Sequence, residues 1–131
     1  GDILSSNVDS VCCGQDPSLK SNGKIAKSII KKYKDVRAQI SEHVLKKGEH
    51  HFGHVFMTDC NPNPPRHIIF VVTVSPYSGK ENPKTSLETI KMCFTNVLEF
   101  AYQNDIPSLA LPLLGTGNFT LFLTLPINQF I

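Results

Sequence analysis

The sequence has no long apolar stretch. The longest uninterrupted aliphatic and aromatic run near its middle, Ile68 to Val72, stops at Thr73, far short of the roughly 18 to 20 residues that cross a bilayer. No membrane span is expected. The opening Gly1-Asp2-Ile3-Leu4 has no initiating Met, basic n-region or signal h-region, and it reads as the start of a domain cut from a longer protein. Cysteine is sparse as well: Cys12, Cys13, Cys60 and Cys93 are too few and too irregularly spaced for a disulfide framework, which points to a reducing compartment. His50, His51 and His54 stand near Cys60, but neither Cys-x-x-Cys nor His-Glu-x-x-His occurs, so no metal site is expected. Nothing around Cys12 or Cys13 marks an activated thiol.

What remains is ordinary: 131 residues, 40% hydrophobic and 18% charged, which suits one folded domain and excludes disorder, collagen and coiled coil. The net charge of +2 conceals a segregation. Residues 20–50 carry nine basic and three acidic side chains, and the rest of the chain carries four and eight. A basic face follows, read as the solvated side of helices, with nucleic-acid binding as the weaker alternative.

Hydrophobic period organises the chain. Val8 to Cys13 has the small apolar character of a buried strand and runs into the turn formers Gly14-Gln15-Asp16-Pro17-Ser18. Ile25, Ala26, Ile29, Ile30 and Tyr33, then Val36, Ile40 and Val44, recur at helical spacing and predict two helices or one bent helix over 23–47, ended at Lys47-Gly48. Gly53–Asp59 and Arg66–Val74 predict two strands joined by Asn61-Pro62-Asn63-Pro64-Pro65. The second is continuously apolar, as a strand covered on both faces should be. Thr85-Ser86-Leu87-Glu88 is a capping box opening a helix with Leu87, Ile90, Phe94, Val97, Leu98 and Ala101 on one stripe, running to Asn104. Ile106–Leu114 returns to strand and ends at Gly115-Thr116-Gly117-Asn118. The order β-α-β-β-α-β predicts a layered α/β fold. Ligands in such folds bind beyond the carboxyl ends of the strands, where Gly14–Lys24 precedes a helix N-terminus and Leu113–Asn118 is a small-residue loop. Both suit a phosphate.

Several of these segments, taken in order, resemble one family. Gly1-Asp2-Ile3, Val8-Asp9-Ser10-Val11, Leu19 to Ile29 with Gly23-Lys24-Ile25-Ala26, and Leu109 to Phe119 with Gly115-Thr116-Gly117-Asn118 look like the successive landmarks of a macro domain, an ADP-ribose-binding module. The last loop is most similar to macro domains attached to poly(ADP-ribose) polymerases. The resemblance implies a three-layer α/β/α domain spanning 1–131, with a mixed, mostly parallel sheet. It also implies the lack of the first strand and of the closing helix and strand of typical members. An atypical apolar tail, 119–131, suits an edge strand; Pro126 argues against a central one.

The resemblance further implies a site. Asp2 would accept a hydrogen bond from the adenine amino group, with the Ile3 backbone beside it. Gly23 and Ile25 would lie in the first phosphate loop, and Leu114, Gly115, Thr116, Gly117 and Asn118 in the second. Asp16 and Phe119 would lie near the distal ribose. No cofactor is implied beyond the ligand ADP-ribose. The implied partners are ADP-ribose or ADP-ribosylated proteins, met by a monomeric domain of a larger nuclear or cytoplasmic protein. Three departures stand out: the family's Asn-Ala-Ala-Asn reads Cys13-Gly14-Gln15-Asp16, its triple glycine reads Asn22-Gly23-Lys24, and the Asp of hydrolytic members is Ala26. General acid/base chemistry needs a titratable group in place, and Asp16 is the one nearby carboxylate. A non-hydrolytic reader is therefore expected, with a ligand-free interaction element and an ADP-ribosylhydrolase as the alternatives.

Overall fold

A computed structural model describes residues 8–15, 19–21, 24–47, 51, 53–73, 87–112 and 120–124. These form strand β1 (Ser10–Gln15), helices α1 (Lys24–Lys32) and α2 (Lys34–Lys47), strands β2 (Val55–Asp59) and β3 (His67–Val72), helix α3 (Leu87–Gln103), and strands β4 (Ser108–Pro112) and β5 (Thr120–Thr124). The strands make one sheet in the order β2-β3-β1-β4-β5. Its centre is parallel, β1 pairing with β3 on one side and β4 on the other. Its two outer strands are antiparallel to their neighbours.

Alternation along the central strands divides the core in two. Val11 and Cys13 of β1 with Ile68, Phe70 and Val72 of β3 face α1 and α2, and meet Ala26, Ile29, Tyr33, Val36 and Ile40. Cys12, Ile69, Val71, Leu109 and Leu111 face α3 and meet Cys93, Val97, Leu98 and Ala101. A strand with helices on both faces has no polar side, which is why 68–72 is apolar without interruption. The three layers follow from this.

The differences from the sequence reading lie at element ends. β1 begins at Ser10 and continues through Gly14 and Gln15, because Gly14 pairs with Val71 and Gln15 with Val72; ladder bonds override the local turn preference of these residues. The predicted 23–47 segment is two helices parted at Tyr33, whose buried ring sits in the first core cluster. α3 stops one residue early. There Asn104 N–H donates to Phe100 O at 3.0 Å and Ile106 N–H to Ala101 O at 2.9 Å, while Asp105 takes φ 54°, the left-handed residue that glycine more often supplies. β2 starts after Gly53, whose φ of 79° favours glycine and beside which an added Cβ would lie 2.7 Å from Asn96 Nδ2 and force that side chain to move. The tail supplies β5 at the sheet edge, beside β4. Thr85, Ser86 and Gly48 fall outside the described residues, as do residues 1–7 and 125–131, on which the expected lack of a first strand and of closing elements turns.

All four cysteines are free, and Cys12, Cys13 and Cys93 are buried. Burial pushes the Cys13 thiol from 9.0 up to about 12 and raises Cys12, whose neighbours Cys13 and Cys93 add to the effect. Cys93 also rises, first by burial, against a smaller lowering by the Gly53 backbone. In the unfolded chain these thiols ionise near pH 9, whereas the folded chain keeps them protonated. Between about pH 9 and 12 the folded state therefore binds more protons, so stability is full below pH 9 and is lost as pH rises. A fall on the order of 1 kcal/mol in urea-unfolding free energy is expected from pH 9 to 10 for Cys13 alone. A flat profile would contradict the burial, as would fast labelling of all four thiols in the native chain by a disulfide reagent.

Candidate functional site

The carboxyl ends of the three parallel strands lie together, and β1 is the middle one. Its last residue, Gln15, pairs with Val72 at the end of β3, and the next residue of that strand, Thr73, donates its N–H to Gln15 O at 2.9 Å. The chain then leaves the sheet and returns as α1. Gln15 controls that passage through its side chain: Nε2 donates to Ser21 Oγ at 2.7 Å, and Oε1 accepts from Ser21 N at 3.0 Å. Both residues are buried, as is Leu19, which packs into the core beneath α1. Two backbone angles along this return are unusual, φ 56° at Leu19 and φ 58° at Ser21, each costing about 1–2 kcal/mol in a residue with a side chain. The surrounding bonds hold them there.

Gly14 completes the floor. A Cβ at this position would stand 3.0 Å from Thr73 Oγ1, so the absence of a side chain lets β3's exit approach β1. The described residues beside the β1 exit are thus Gly14, Gln15, Leu19, Lys20, Ser21 and Thr73, together with Ile25 and Ala26 in the first turn of α1. No carboxylate, imidazole or reactive thiol is among them. Cys13 is buried and neutral, its Sγ–H directed to Gly14 O at 3.3 Å. The surroundings instead suit an anion. α1 points its free N–H groups at this end, has no acid in its first turn, and is preceded by the exposed Lys20.

Of the predicted site residues, only Ile25 is described. It is half-buried and packs on the first core cluster from the first turn of α1, facing the protein with its side chain and leaving the backbone as its means of contact. Asp2, Ile3, Asp16, Gly23, Leu114, Gly115, Thr116, Gly117, Asn118 and Phe119 lie outside the described residues. Sequence reasoning treated Gln15 as part of a turn-forming cluster and missed its role, as it missed Ser21 and Thr73. A glutamine six residues before a serine in a turn-rich segment carries no recognisable spacing.

A shallow groove of about 430 Å³ lies elsewhere, lined by Asp35, Gln39, Asp59, Cys60, Arg66 and His67 among others. It sits where β2 ends and β3 begins, at the opposite end of the sheet. Here Gln39 bonds both ways to the Asp59 backbone, at 2.6 and 2.8 Å, closing the edge strand against α2. His67 Nδ1 lies 2.8 Å from Asp59 Oδ1 but outside hydrogen-bonding alignment. The Cys60 thiol is pushed up to about 11 by burial and then by Asp59 and Asp9, so it is protonated at neutral pH and no nucleophile. Among the described residues no three metal-ligating side chains converge, and no helix is long and apolar enough to cross a membrane.

The model of the Macro domain family matches residues 14–123. No curated protein matches the sequence. Among solved structures the chain is similar to the macrodomain of Mycobacterium tuberculosis DarG, with a TM-score of 0.75 and 24% identity over 90% of this chain and 75% of that one. Similarity to the macrodomain of Thermus aquaticus DarG has a TM-score of 0.74 at 19% identity, over 98% and 80%. The Oceanobacillus iheyensis macrodomain with ADP is similar at a TM-score of 0.71 and 21% identity, over 91% and 64%. A variant of that macrodomain holds ADPR, at 0.67 and 19%, over 91% and 66%.

Proposed function

The chain belongs to the Macro domain family, and from that premise we propose that it binds ADP-ribose, free or attached to protein, as a reader that does not hydrolyse it. The observation that carries the non-hydrolytic part is the chemistry of the β1 exit. Apart from the exposed Lys20, the described residues there bring backbone N–H groups and neutral amide and hydroxyl groups, and by the resemblance Ala26 occupies the position of the Asp of hydrolytic members. Such groups hold an anion well, but they take or give no proton at neutral pH. The ligands of the Oceanobacillus macrodomain, ADP and ADPR, support the nucleotide class.

In this reading Asp2 and Ile3 receive the adenine. The loop through Gly23 and Ile25 and the loop from Leu114 to Asn118 hold the diphosphate, and Asp16 and Phe119 flank the distal ribose. Four unpaired thiols support a parent protein that works in a reducing compartment.

Calorimetric titration with ADP-ribose tests this, with ADP and adenosine as controls. Micromolar binding is expected, lost in Gly117→Glu, with no release of ADP-ribose from a modified protein over hours. No heat up to millimolar ligand would sink the reader. Release that depends on Asp16 would turn it into a hydrolase.

A further inference from the structure

The charge segregation in the sequence has a definite position in the fold. Residues 24–37 carry six cations and a single acid, Asp35, on α1 and the first turn of α2. Ala26, Ile29, Tyr33 and Val36 are turned into the core, so the opposite face of this helical stretch is presented to water. Lys27, Lys31, Lys32, Lys34 and Arg37 are all exposed. The lysine and arginine ion pairs among the described residues join Lys46 to Glu42 and Arg66 to Asp9. Neither involves this face, where Lys32 alone has a described contact, its Nζ lying 5.6 Å from the Tyr33 ring centroid.

An ordinary solvated helix interleaves Glu and Lys at four-residue spacing, because such pairs stabilise it. Here the pairs are missing, and cations stand three and four residues apart instead. Lys27 and Lys31 are one helical turn apart, about 6 Å along the axis. Lys34 opens α2, where the helix dipole disfavours a cation. Lys31 and Lys32 suit the last turn of α1, where the dipole favours cations, but the like-charge neighbours Lys27 and Lys31 and the cation opening α2 each cost stability, and neither is required by the core. They make sense for a surface that meets a repeating anion.

We propose that the outward face of α1 and the start of α2 is a sequence-independent binding surface for the phosphate backbone of a nucleic-acid strand. Duplex DNA offers a phosphate about every 3.4 Å along each strand, so the spacing of about 6 Å between Lys27 and Lys31 on α1 is close to that of every second one. No exposed aromatic residue lies on the face to stack a base, as sequence-tolerant single-strand binders often provide. Charge alone holds the strand. The surface runs from the β1 exit, where α1 begins, toward the opposite sheet end, and so lies beside the ADP-ribose cleft and not within it.

Fluorescence anisotropy with a labelled oligothymidine strand tests this, with a labelled duplex and inorganic polyphosphate as parallel arms. Micromolar binding is expected at about 50 mM salt, weakening about 50-fold by about 200 mM, as neutralisation of about four phosphates implies. Lys27→Glu/Lys31→Glu/Lys34→Glu should abolish it, and the milder Lys27→Gln/Lys31→Gln/Lys34→Gln should weaken it at least tenfold, both with unchanged helical circular dichroism. Lys91→Glu, exposed on α3 in the other helical layer, should leave binding within about twofold. Absence of binding at low salt overturns the proposal, as does a salt-independent affinity or an equal effect of Lys91→Glu. Binding of polyphosphate without either nucleic acid overturns it too. Saturating ADP-ribose should not displace the strand; displacement would put the strand in the cleft and remove the separate surface. Failure of the chain to bind ADP-ribose leaves these expectations unchanged.

Discussion

Gln15→Leu is expected to lower unfolding free energy by about 2–3 kcal/mol, since it leaves the Ser21 N–H and hydroxyl buried without partners, and to weaken ADP-ribose at least tenfold. The two losses have one cause. Gln15 holds Ser21 through both ends of its amide, at 2.7 and 3.0 Å, and Ser21 sits in a left-handed conformation two residues from Gly23 on the way into α1. Without that clamp the return from β1 relaxes, and the backbone N–H groups proposed to hold the diphosphate lose their fixed directions. Pre-organisation of this kind contributes to affinity by reducing what must be ordered on binding. Gln15→Glu keeps the acceptor for the Ser21 N–H but replaces the Nε2 donor with a second acceptor, so the Ser21 hydroxyl must turn from accepting to donating; it should retain more of the clamp than leucine does, at the cost of burying a carboxylate. Urea unfolding and calorimetry on the same samples separate the effects. If Gln15→Leu, once corrected for the fraction folded, binds ADP-ribose as the parent chain does, Gln15 is a stabilising residue and nothing more.

Phe70→Ala should be the most damaging single change, about 3–5 kcal/mol, enough to leave a domain with an ordinary total of about 5–15 kcal/mol at the margin of folding. Phe70 lies wholly buried in β3, in the layer under α1 and α2. Its ring meets Phe56 at a centroid distance of 5.2 Å, and Phe56 in turn stacks on His43 of α2 at 4.2 Å. Removing the ring opens a cavity at the base of this column, and the surrounding sheet is too constrained to close it. Phe70→Leu keeps most of the volume and should cost less than half as much. A loss below about 1 kcal/mol for the alanine variant would mean that the layer repacks freely, contrary to its burial.

The alkaline behaviour of the buried thiols, the ADP-ribose titration and the salt-dependent strand binding address separate parts of the molecule. The first reads the core, the second the β1 exit, the third the outer face of α1. They can fail independently.

Local signals gave the elements because each is a statement about neighbours in sequence. The stripe from Ile90 to Ala101 marks α3, the unbroken 68–72 run marks a strand covered on both sides, and the lysines between 24 and 37 mark a wet face. The family landmarks were legible in the same way, as short segments in a fixed order. The site was legible only as far as those landmarks extend, and of the site residues predicted from them Ile25 alone falls where the structure describes the chain. What the tertiary structure decided is everything that depends on distant partners. It set the order β2-β3-β1-β4-β5, and it extended β1 through Gly14 and Gln15 against their turn-forming character. Contacts it made include Gln39 with Asp59, 20 residues apart, and Asn96 with Gly53, 43 apart. The clamp of Gln15 on Ser21 belongs here too, although only six residues separate them. A helix stripe or an alternating strand repeats, so its pattern accumulates over several residues, whereas a single buried hydrogen bond leaves no period. Its meaning appears only when a third segment joins it, here the exit of β3, whose Thr73 N–H donates to Gln15 O.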